Sequence, residues 1–345
     1  MVNHMFNKIC SGIGLVALDV VINQESEYDA KIYCGGSCGN VLTILSFLGF
    51  DSYPIARLDD NNATSLIISD LEKWGVNTSF LKSGLNGSTP IIIHRILSDS
   101  KNNPRHRFEF KNPVSGKWLP GYKPVLSRDV ESIYKKLPTS HVFYLDRISR
   151  ASIDLAKKVK KNGGFVFFEP SSISDIKQFE ECLKITDILK FSNDRLKSYK
   201  EDYPEIQATL EIETLGSQGL SYRFLDSNWE KLEPFFIKDV VDTAGAGDWC
   251  SAGIIGSILE KGNLDLKTID KNFLKTSLLY GQVLGAINCL YPGARGLMYN
   301  LSKDSFESIV SNLLTKNSVS YDAPFDDSLK NENHTHNLEV ILSTL

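Results

Sequence analysis

One short segment of the sequence has residue types that suit phosphate chemistry, the string Asp242-Thr243-Ala244-Gly245-Ala246-Gly247-Asp248. A helix rich in small residues is predicted to follow from it, over 246–260. Gly245 and Gly247 allow the backbone to turn so that N–H groups converge at the start of this helix, where unpaired donors and the helix dipole favour an anion. The segment therefore predicts a phosphate-binding turn made by Gly245, Ala246 and Gly247.

Asp248 lies in the first turn of the same predicted helix, beside the anion site. Its carboxylate can accept the proton of an attacking hydroxyl, and since an unperturbed aspartate has a pKa of about 3.9, we expect it to be ionised at neutral pH. Phosphoryl transfer needs mainly positioning and charge stabilisation, so an anion site and one base are a sufficient minimum. The alternative is structural: the glycines allow close helix packing, and Asp248 only stabilises the helix dipole.

A second motif, Gly35-Gly36-Ser37-Cys38-Gly39-Asn40 followed by Gly49, lies near the start of the chain. In order and spacing, the two motifs resemble the two signatures of the ribokinase/PfkB carbohydrate kinase family, over residues 8–298. The resemblance implies a phosphotransferase that uses ATP with Mg²⁺ and acts on a hydroxyl of a sugar or sugar-like small molecule, with Asp248 as the base. It also implies a ribokinase-like three-layer α/β fold with a small β-lid.

The resemblance assigns acceptor contacts to four residues. Asp19, expected at the end of the first central strand, and Gly36 and Asn40 of the first motif match the family's sugar-binding positions. A carboxylate and an amide are suitable partners for hydroxyl groups, which both donate and accept. Asp146 falls where some members have an acidic sugar contact, and the alternative for it is an ordinary residue at a strand end.

The resemblance also implies a nucleotide site and a cation site. Thr214-Leu215-Gly216-Ser217-Gln218-Gly219 resembles the turn that lines the nucleotide, and Ala244 belongs to the phosphate-binding turn. Gln282 falls on the adenine side, with Gly293 and Ala294 closing that wall. Asp242 and the Gly293 loop resemble a monovalent-cation site for K⁺, and a purely structural role is the alternative.

One motif departs from the family pattern. Ser192-Asn193-Asp194-Arg195 stands where the family usually has Asn-x-x-Glu, so a glutamate is replaced by Arg195. A guanidinium suits phosphate oxygens, and we expect Arg195 to contact the nucleotide. Glu169 or Asp194 then takes over the water network around Mg²⁺, which prefers oxygen ligands. The alternative is an enzyme with weak or lost catalysis.

Substrate identity is less visible in the sequence. Ser37 stands where ribokinases carry a lysine, which disfavours ribose itself. A basic cluster on the lid and at strand ends can receive a phosphorylated sugar or another anion, and a solvated surface is its alternative. Its members are Arg95, Arg105, His106, Arg107 and Arg147, of which Arg107 and Arg147 are the strongest candidates.

The elements that position these residues follow an alternation of short apolar runs and helix-period segments, which predicts a central, mainly parallel sheet with helices on both faces. Predicted strands cover 8–17, 142–145, 165–169, 188–191 and 211–215, and predicted helices include 40–48, 65–74, 152–161 and 246–260. Segments 19–34 and 88–110 do not follow this alternation and are predicted to form antiparallel strands outside the main sheet. They form either a lid that closes over the ligand or a surface hairpin without function.

We expect one kinase domain over 1–300, then a C-terminal helix and flexible tail over 301–345. Six scattered cysteines in a chain of 345 residues fit reduced thiols in a cytoplasm. A net charge of −4 gives no electrostatic reason to bind nucleic acid or an anionic membrane, and no apolar run is long enough to span a bilayer. The expected partners are small molecules and a second copy of the chain, bound through the lid.

Two other functions stay open. A nucleoside kinase makes the same chemical demands, since a ribosyl hydroxyl is also an alcohol. A regulator that binds a nucleotide or sugar without useful catalysis is favoured by Arg195. A dinucleotide-dependent oxidoreductase is disfavoured because the first strand lacks a following Gly-x-Gly-x-x-Gly turn.

Overall fold

The centre of the computed structural model is an eight-stranded sheet; the structure describes residues 8–23, 29–82, 84–98, 104–113, 115–238, 240–262, 265–316 and 336–337. With strands numbered along the chain, its members are β1 (Ile9–Ile13), β4 (Asp51–Ile55), β7 (Val142–Leu145), β8 (Phe165–Phe168), β9 (Ile188–Ser192), β10 (Leu210–Thr214), β11 (Leu220–Phe224) and β12 (Glu230–Leu232). The order is β12-β11-β10-β9-β8-β7-β1-β4. All neighbours from β4 to β10 pair in parallel, and β11 and β12 add an antiparallel edge.

Helices cover both faces of this sheet. They are α1 (Ser37–Phe47), α2 (Asn62–Lys73), α3 (Val130–Lys136), α4 (Arg150–Lys161), α5 (Ile176–Leu183), α6 (Tyr199–Asp202), α7 (Ala246–Glu260), α8 (Lys271–Asn288), α9 (Gly296–Asn300) and α10 (Lys303–Lys316). Successive strand side chains point to opposite faces. In β7, Val142 and Tyr144 join the core that contains α1, α7 and α8, while Phe143 and Leu145 join the core that contains α4 and α5. The predicted three-layer α/β fold is confirmed.

A smaller sheet of five strands lies outside the central one. Its strands are β2 (Ala17–Asn23), β3 (Asp29–Gly35), β5 (Ile91–Ser98), β6 (Pro104–Glu109) and the two-residue β13 (His336–Asn337). The order is β13-β3-β2-β5-β6, and β2 and β5 pair in parallel whereas the other neighbours are antiparallel. These strands come from the two segments predicted to form a lid, although a purely antiparallel arrangement was expected.

The first predicted strand was wrong in extent. The apolar run divides between two sheets, with β1 ending at Ile13 and β2 beginning at Ala17. Asp19, expected at the end of a central strand, therefore lies in the small sheet. Gly14 stands at the division, where a Cβ atom would come within 1.6 Å of Oδ1 of Asp146. The chain thus passes from one sheet to the other at Gly14, where the side chain of Asp146, just after β7, fills the space that a Cβ atom would occupy.

The helices beneath the candidate site pack unusually closely. A Cβ atom on Gly281 of α8 would lie 2.6 Å from the carbonyl oxygen of Cys250 in α7. Phe306 and Ile309 of α10 are buried in the same core as α8.

The boundary between the kinase domain and the C-terminal segment at residue 300 stays a prediction. Residues 317–335 and 338–345, most of the predicted flexible tail, lie outside the described residues.

Candidate active site

The phosphate-binding turn predicted at 244–247 forms the start of α7. Gly245 precedes the helix with φ of 74°, a left-handed conformation that favours glycine. A Cβ atom on Gly245 would come within 2.0 Å of the carbonyl oxygen of Ala294, which also accepts a hydrogen bond from Nε1 of the buried Trp249 at 3.2 Å. The N–H of Ala246 donates to Thr243 over 3.3 Å, a long bond that an anion can replace. The carbonyl group of Ala294 thus packs against Gly245 and helps to hold the turn in place.

The loop around Gly293 is tied to this turn by two buried polar side chains. Asp242 accepts N–H bonds from Ala244 and from Gly293, each at 2.7 Å. Nδ2 of Asn288 donates to the carbonyl oxygen of Ala244 at 2.9 Å and approaches that of Gly293 at 3.4 Å. The structure therefore brings together Asp242, Ala244 and Gly293, as the resemblance implied, and adds Asn288.

Asp248 lies at the mouth of the turn and is hydrogen-bonded to the first motif. Nδ2 of Asn40, in α1, donates to Oδ2 of Asp248 at 2.8 Å. Burial raises the pKa of Asp248 to about 7, with a further contribution from the charge of Glu169, while the bond from Asn40 and the charges of Lys190 and Arg195 oppose the rise. The ordinary pKa expected from the sequence is therefore wrong, because the carboxylate is held among buried groups.

A buried ion pair lies behind Asp248. Nζ of Lys190, in the middle of β9, contacts Oε1 of Glu169 at 2.5 Å and donates to the carbonyl oxygen of Gly247 at 3.2 Å. Burial alone would lower the pKa of Lys190, but the charge and hydrogen bond of Glu169 together with the charges of Cys250 and Asp248 raise it above the ordinary value. Oε2 of Glu169 accepts from Tyr144 and Ser251. Glu169, predicted to hold Mg²⁺ through water, instead has both oxygens engaged by protein donors.

Asp19 borders a cleft between the small sheet and the loop that precedes α9. The cleft is also lined by Tyr33, His94, Gly293, Ala294 and Arg295. Burial raises the pKa of Asp19 to about 7; the positive charge of Arg295 opposes this rise and the charge of Asp248 adds to it. Asp19 and Asp248 are therefore close enough to influence each other, which is the arrangement needed if both contact one acceptor.

Arg295 connects the two sides of this cleft. Its Nη2 donates to the carbonyl oxygen of Cys34 and to Oδ2 of Asp70, both at 2.5 Å, and the same Asp70 oxygen accepts from the N–H of Cys34 at 2.8 Å. The hydroxyl of Tyr299 donates to Asp70 at 2.7 Å. Both backbone groups of Cys34, just before the motif glycines Gly35 and Gly36, are thereby held by one ion pair.

The other predicted acceptor contacts are less favourably arranged. Asp146 is buried, with Oδ1 accepting from the N–H of Leu15 at 2.9 Å and Oδ2 from Arg147 at 2.8 Å. Its pKa is raised to about 6 by burial, against the charge of Arg147. Gly36 precedes α1 with φ of 79° and packs on the carbonyl of Leu15. Asp146 therefore holds the link between β1 and β2 and pairs with Arg147.

Arg107 does not lie with Asp19. Paired residues of neighbouring strands share a face, and side chains alternate along each strand. Asp19 pairs with Ile92, whereas Arg107 pairs with Arg95, three residues further along β5. Arg107 therefore lies on the opposite face of the small sheet, where it and Arg95 both contact Glu109. Arg107 therefore faces away from the cleft that Asp19 borders.

The predicted nucleotide residues line one edge of the central sheet. Thr214 ends β10, and the Gly216–Gly219 turn leads into β11. Gly219 packs on the backbone of 232–234, and Nε2 of Gln282 in α8 donates to the carbonyl of Glu233 at 3.3 Å. The exposed Arg195 follows β9, close enough to Asp248 for its charge to lower the carboxyl pKa. Among these residues, Arg195 is the one whose charge acts on the candidate base.

The family is established by comparison with known proteins. The model of the pfkB family carbohydrate kinases matches residues 8–299. The chain belongs to this family. It is 25% identical over 267 residues to an ATP-dependent ribose-1-phosphate kinase of Halopiger xanaduensis, covering 76% of this chain and 82% of that protein.

Solved structures of the same fold resemble this pfkB family kinase. Aminoimidazole riboside kinase from Salmonella enterica has a TM-score of 0.65 at 18% identity, covering 88% of this chain and 100% of that one. A Burkholderia thailandensis nucleoside kinase in complex with inosine has a TM-score of 0.63 at 14% identity, covering 88% and 97%. The protein is a sugar or nucleoside kinase of the ribokinase family, hence a phosphotransferase with a small-molecule acceptor.

In the described ranges, no group of three or more His, Cys, Asp or Glu side chains is arranged to hold a metal ion. Mg²⁺ bound chiefly through nucleotide phosphates and water needs only one or two carboxylates from the protein. None of the helices that the structure describes combines the length and apolar character needed to cross a bilayer. All six cysteines are buried and unpaired.

Three site residues of this pfkB family kinase were missed by sequence reasoning. Lys190 and Asn288 lie in apolar surroundings, on a central strand and on α8, and Arg295 follows directly after Gly293-Ala294. Charged or amide side chains inside apolar runs are rarely buried without a partner. That rule was the available signal for Lys190, whose run Ile188 to Phe191 is otherwise apolar.

Proposed function

We propose that this kinase transfers the γ-phosphoryl group of ATP to a hydroxyl of a sugar or nucleoside, with Asp248 as general base. The observation that carries the proposal is the position of Asp248: its carboxylate adjoins the phosphate-binding turn at the start of α7 and is oriented by Asn40 at 2.8 Å. A base with a pKa of about 7 is well matched to proton transfer near neutral pH.

In the proposed reaction, Asp248 removes the proton of the acceptor hydroxyl as its oxygen attacks the γ-phosphorus. The bond from phosphorus to the β,γ-bridging oxygen breaks, and ADP leaves with the bonding electrons. Backbone N–H groups of Gly245, Ala246 and Gly247 at the start of α7 stabilise the developing charge, aided by the helix dipole. Lys190 keeps this turn in place through the carbonyl of Gly247.

The nucleotide side is proposed from the same geometry. Arg195 is exposed and carries its charge near Asp248, so its guanidinium is suited to the phosphates. Thr214, Gly216, Gly219 and Gln282 form the wall beside it. Mg²⁺, when bound with ATP, would neutralise phosphate charge. Both oxygens of Glu169 already accept from protein donors, so the exposed Asp194 is the more accessible carboxylate for an ion that retains most of its waters.

On the acceptor side, Asp19 and Asn40 are proposed to bind hydroxyl groups. Oδ1 of Asn40 has no hydrogen-bond partner within the described part of the chain, and a hydroxyl of the acceptor would supply one. The aromatic rings of Tyr33 and His94 line the cleft beside Asp19. Flat rings of this kind pack well against a sugar ring or a nucleobase. Nucleosides are therefore the second class of acceptor that suits this cleft.

The test is ADP production by purified protein with Mg-ATP across hexoses, pentoses, sugar phosphates and nucleosides. Asp248→Asn should lower kcat on the order of 10²-fold or more with the KM for ATP little changed. Asp226→Asn, on an exposed turn, is the matched control and should retain full activity. Unchanged turnover in Asp248→Asn would refute the base assignment. Tight ATP binding without product on any acceptor would instead favour a non-catalytic regulator.

A further inference from the structure

The resemblance of Asp242 and the Gly293 loop to a monovalent-cation site can be tested against the groups that surround it. Proteins hold such ions with converging carbonyl oxygens. The carbonyl oxygens of Ala244 and Gly293 do converge here, but on a nitrogen atom. Nδ2 of Asn288 lies 2.9 Å from the first and 3.4 Å from the second. The space between the two carbonyls is therefore filled by a side chain of the chain itself.

The orientation of this amide is determined by its other end. Oδ1 of Asn288 accepts a hydrogen bond from the N–H of Leu297 at 3.2 Å. A backbone N–H can only donate and a carbonyl can only accept, so Nδ2 must face the carbonyls of Ala244 and Gly293. Asn288 is fully buried. All its polar atoms are thus used within the protein, as expected of a buried amide.

The acidic residue of the expected site is also engaged. Oδ1 of Asp242 accepts from the N–H of Ala244 and Oδ2 from the N–H of Gly293, both at 2.7 Å. The carboxylate and the Asn288 amide therefore bind the same two residues from opposite sides, one through N–H groups and the other through carbonyl groups. Together they connect the phosphate-binding turn with the Gly293 loop without needing an ion.

We propose that the side-chain amide of Asn288 takes the place of a monovalent cation in this chain, so that the enzyme does not require K⁺. The connection that an ion would make between two carbonyls is made by a neutral double donor. The part of this inference that concerns turnover rests on the proposed kinase function. The part that concerns ion binding does not, because it can be measured on the folded protein alone.

The first arm of the experiment uses the wild-type protein in KCl and in choline chloride at equal ionic strength. Initial rates should differ by less than about twofold, and Tm should be the same in both salts, because a ligand that does not bind cannot stabilise the native state. Strong activation by K⁺, or a K⁺-specific rise in Tm, would overturn the proposal. If the wild-type is inactive on every acceptor, the kinase function fails, and the Tm comparison still decides the role of Asn288.

The second arm changes the amide. Asn288→Asp turns an acceptor oxygen towards the two carbonyls and should create a need for a cation, and Asn288→Ser leaves space for one. In at least one of them, K⁺ at about 100 times its Kd should raise Tm by about 4 °C. Asn300→Asp is the matched control, since Asn300 donates to a carbonyl of the same segment, that of Gly296 at 2.7 Å. It should show no response to K⁺.

Folded variants at Asn288 that ignore K⁺ would contradict the idea that the amide fills an ion site. If neither variant folds, the wild-type comparison alone decides the question. A control variant that gains the same K⁺ response would also overturn the proposal, because the effect would then not depend on the carbonyls of Ala244 and Gly293.

Discussion

Asn40 and Asp248 are 208 residues apart in the sequence, and the amide of the first donates to the carboxylate of the second over 2.8 Å. The bond joins the first turn of α1 to the first turn of α7, so the starts of two helices converge on one carboxylate. Burial raises the pKa of Asp248, and this bond opposes the rise. Asn40 therefore both orients the proposed base and lowers the pH at which it ionises.

The pH dependence of turnover should reveal this control. The pKa values of Asp248 and Asp19 are both raised to about 7, so kcat/KM of the wild type should increase with pH through about 7 as the carboxylates lose protons. Asn40→Ala removes a donor that stabilises the ionised form of Asp248, so the pKa rises and the acid limb moves to higher pH. Rates measured across this range check it, and an unmoved limb in Asn40→Ala would contradict the tuning role.

Stability should show the opposite preference. A carboxyl whose pKa is higher in the folded than in the unfolded state stabilises the fold at low pH and loses that contribution as pH rises through the folded pKa. At pH well above 7, Asp248→Asn should therefore have a higher Tm than the wild type, because a neutral amide replaces a partly buried charge. The difference should shrink as the pH is lowered towards 4. A lower Tm of the variant at high pH would show that the charge of Asp248 does not destabilise the folded state.

The turn before α7 should not tolerate a side chain. In Gly245→Ala the new Cβ atom meets the carbonyl of Ala294 at 2.0 Å, in a backbone conformation with φ of 74°. Gly163→Ala is the matched control, with φ of 88° and no atom within 4 Å of the added carbon. The control should lose about 1 to 2 kcal/mol of unfolding free energy and keep its kcat. Gly245→Ala should lose more stability and most of its activity, and equal behaviour of the two variants would refute the argument.

Arg295 should matter for turnover more than for folding. Arg295→Lys keeps the charge but replaces the planar guanidinium, whose Nη2 donates to both Asp70 and the carbonyl of Cys34, by an ammonium on a shorter side chain. The strand leading to Gly36 should therefore shift and kcat should fall by about 10-fold or more. Arg223→Lys is the control, because Arg223 is also buried, pairs with Glu211 at 2.6 Å and lies near the end of β11 that points away from the Gly216–Gly219 turn.

Both variants should unfold at lower temperature, and Arg223→Lys should retain its kcat. A comparison of kcat, KM and Tm for the pair separates the two roles. Equal losses of turnover after correction for the folded fraction would mean that Arg295 serves stability only. Two nitrogen atoms of Arg295, Nε and Nη1, have no partner within the described residues, so part of this buried guanidinium adds no hydrogen bond to the fold.

Much of the fold could be predicted from periodicity. Helix α7 lies at 246–260 as predicted, and the central strands β7 to β10 agree within one residue. The division of the first apolar run could not be predicted, because both halves are buried and a buried strand has the same composition in either sheet. The only turn signal in the sequence there is Gly14. A glycine is needed at this position because the side chain of Asp146, distant in sequence, occupies the space of a Cβ atom.

The parts of the site made by residues adjacent in sequence could be predicted. The parts made by residues from distant segments could not. The turn at 244–247 and Asp248 belong to one segment, so their proximity was certain. The face on which Arg107 lies could not be predicted, because it depends on the register between β5 and β6, which no local pattern specifies. Asn288 was missed because a single amide near the end of an apolar helix has no distinguishing spacing.

The contact behind the phosphate-binding turn gives the protein an optical probe of its own. The indole of Trp249 is fully buried and donates to the carbonyl of Ala294, the atom on which Gly245 rests. Among the four tryptophans of the chain, Trp118 is 73% exposed and is open to a quencher dissolved in water. With that emission suppressed, and with Trp74 and Trp229 replaced by phenylalanine, a change in Trp249 fluorescence on adding nucleotide would follow the turn directly, without any label and before a substrate is known.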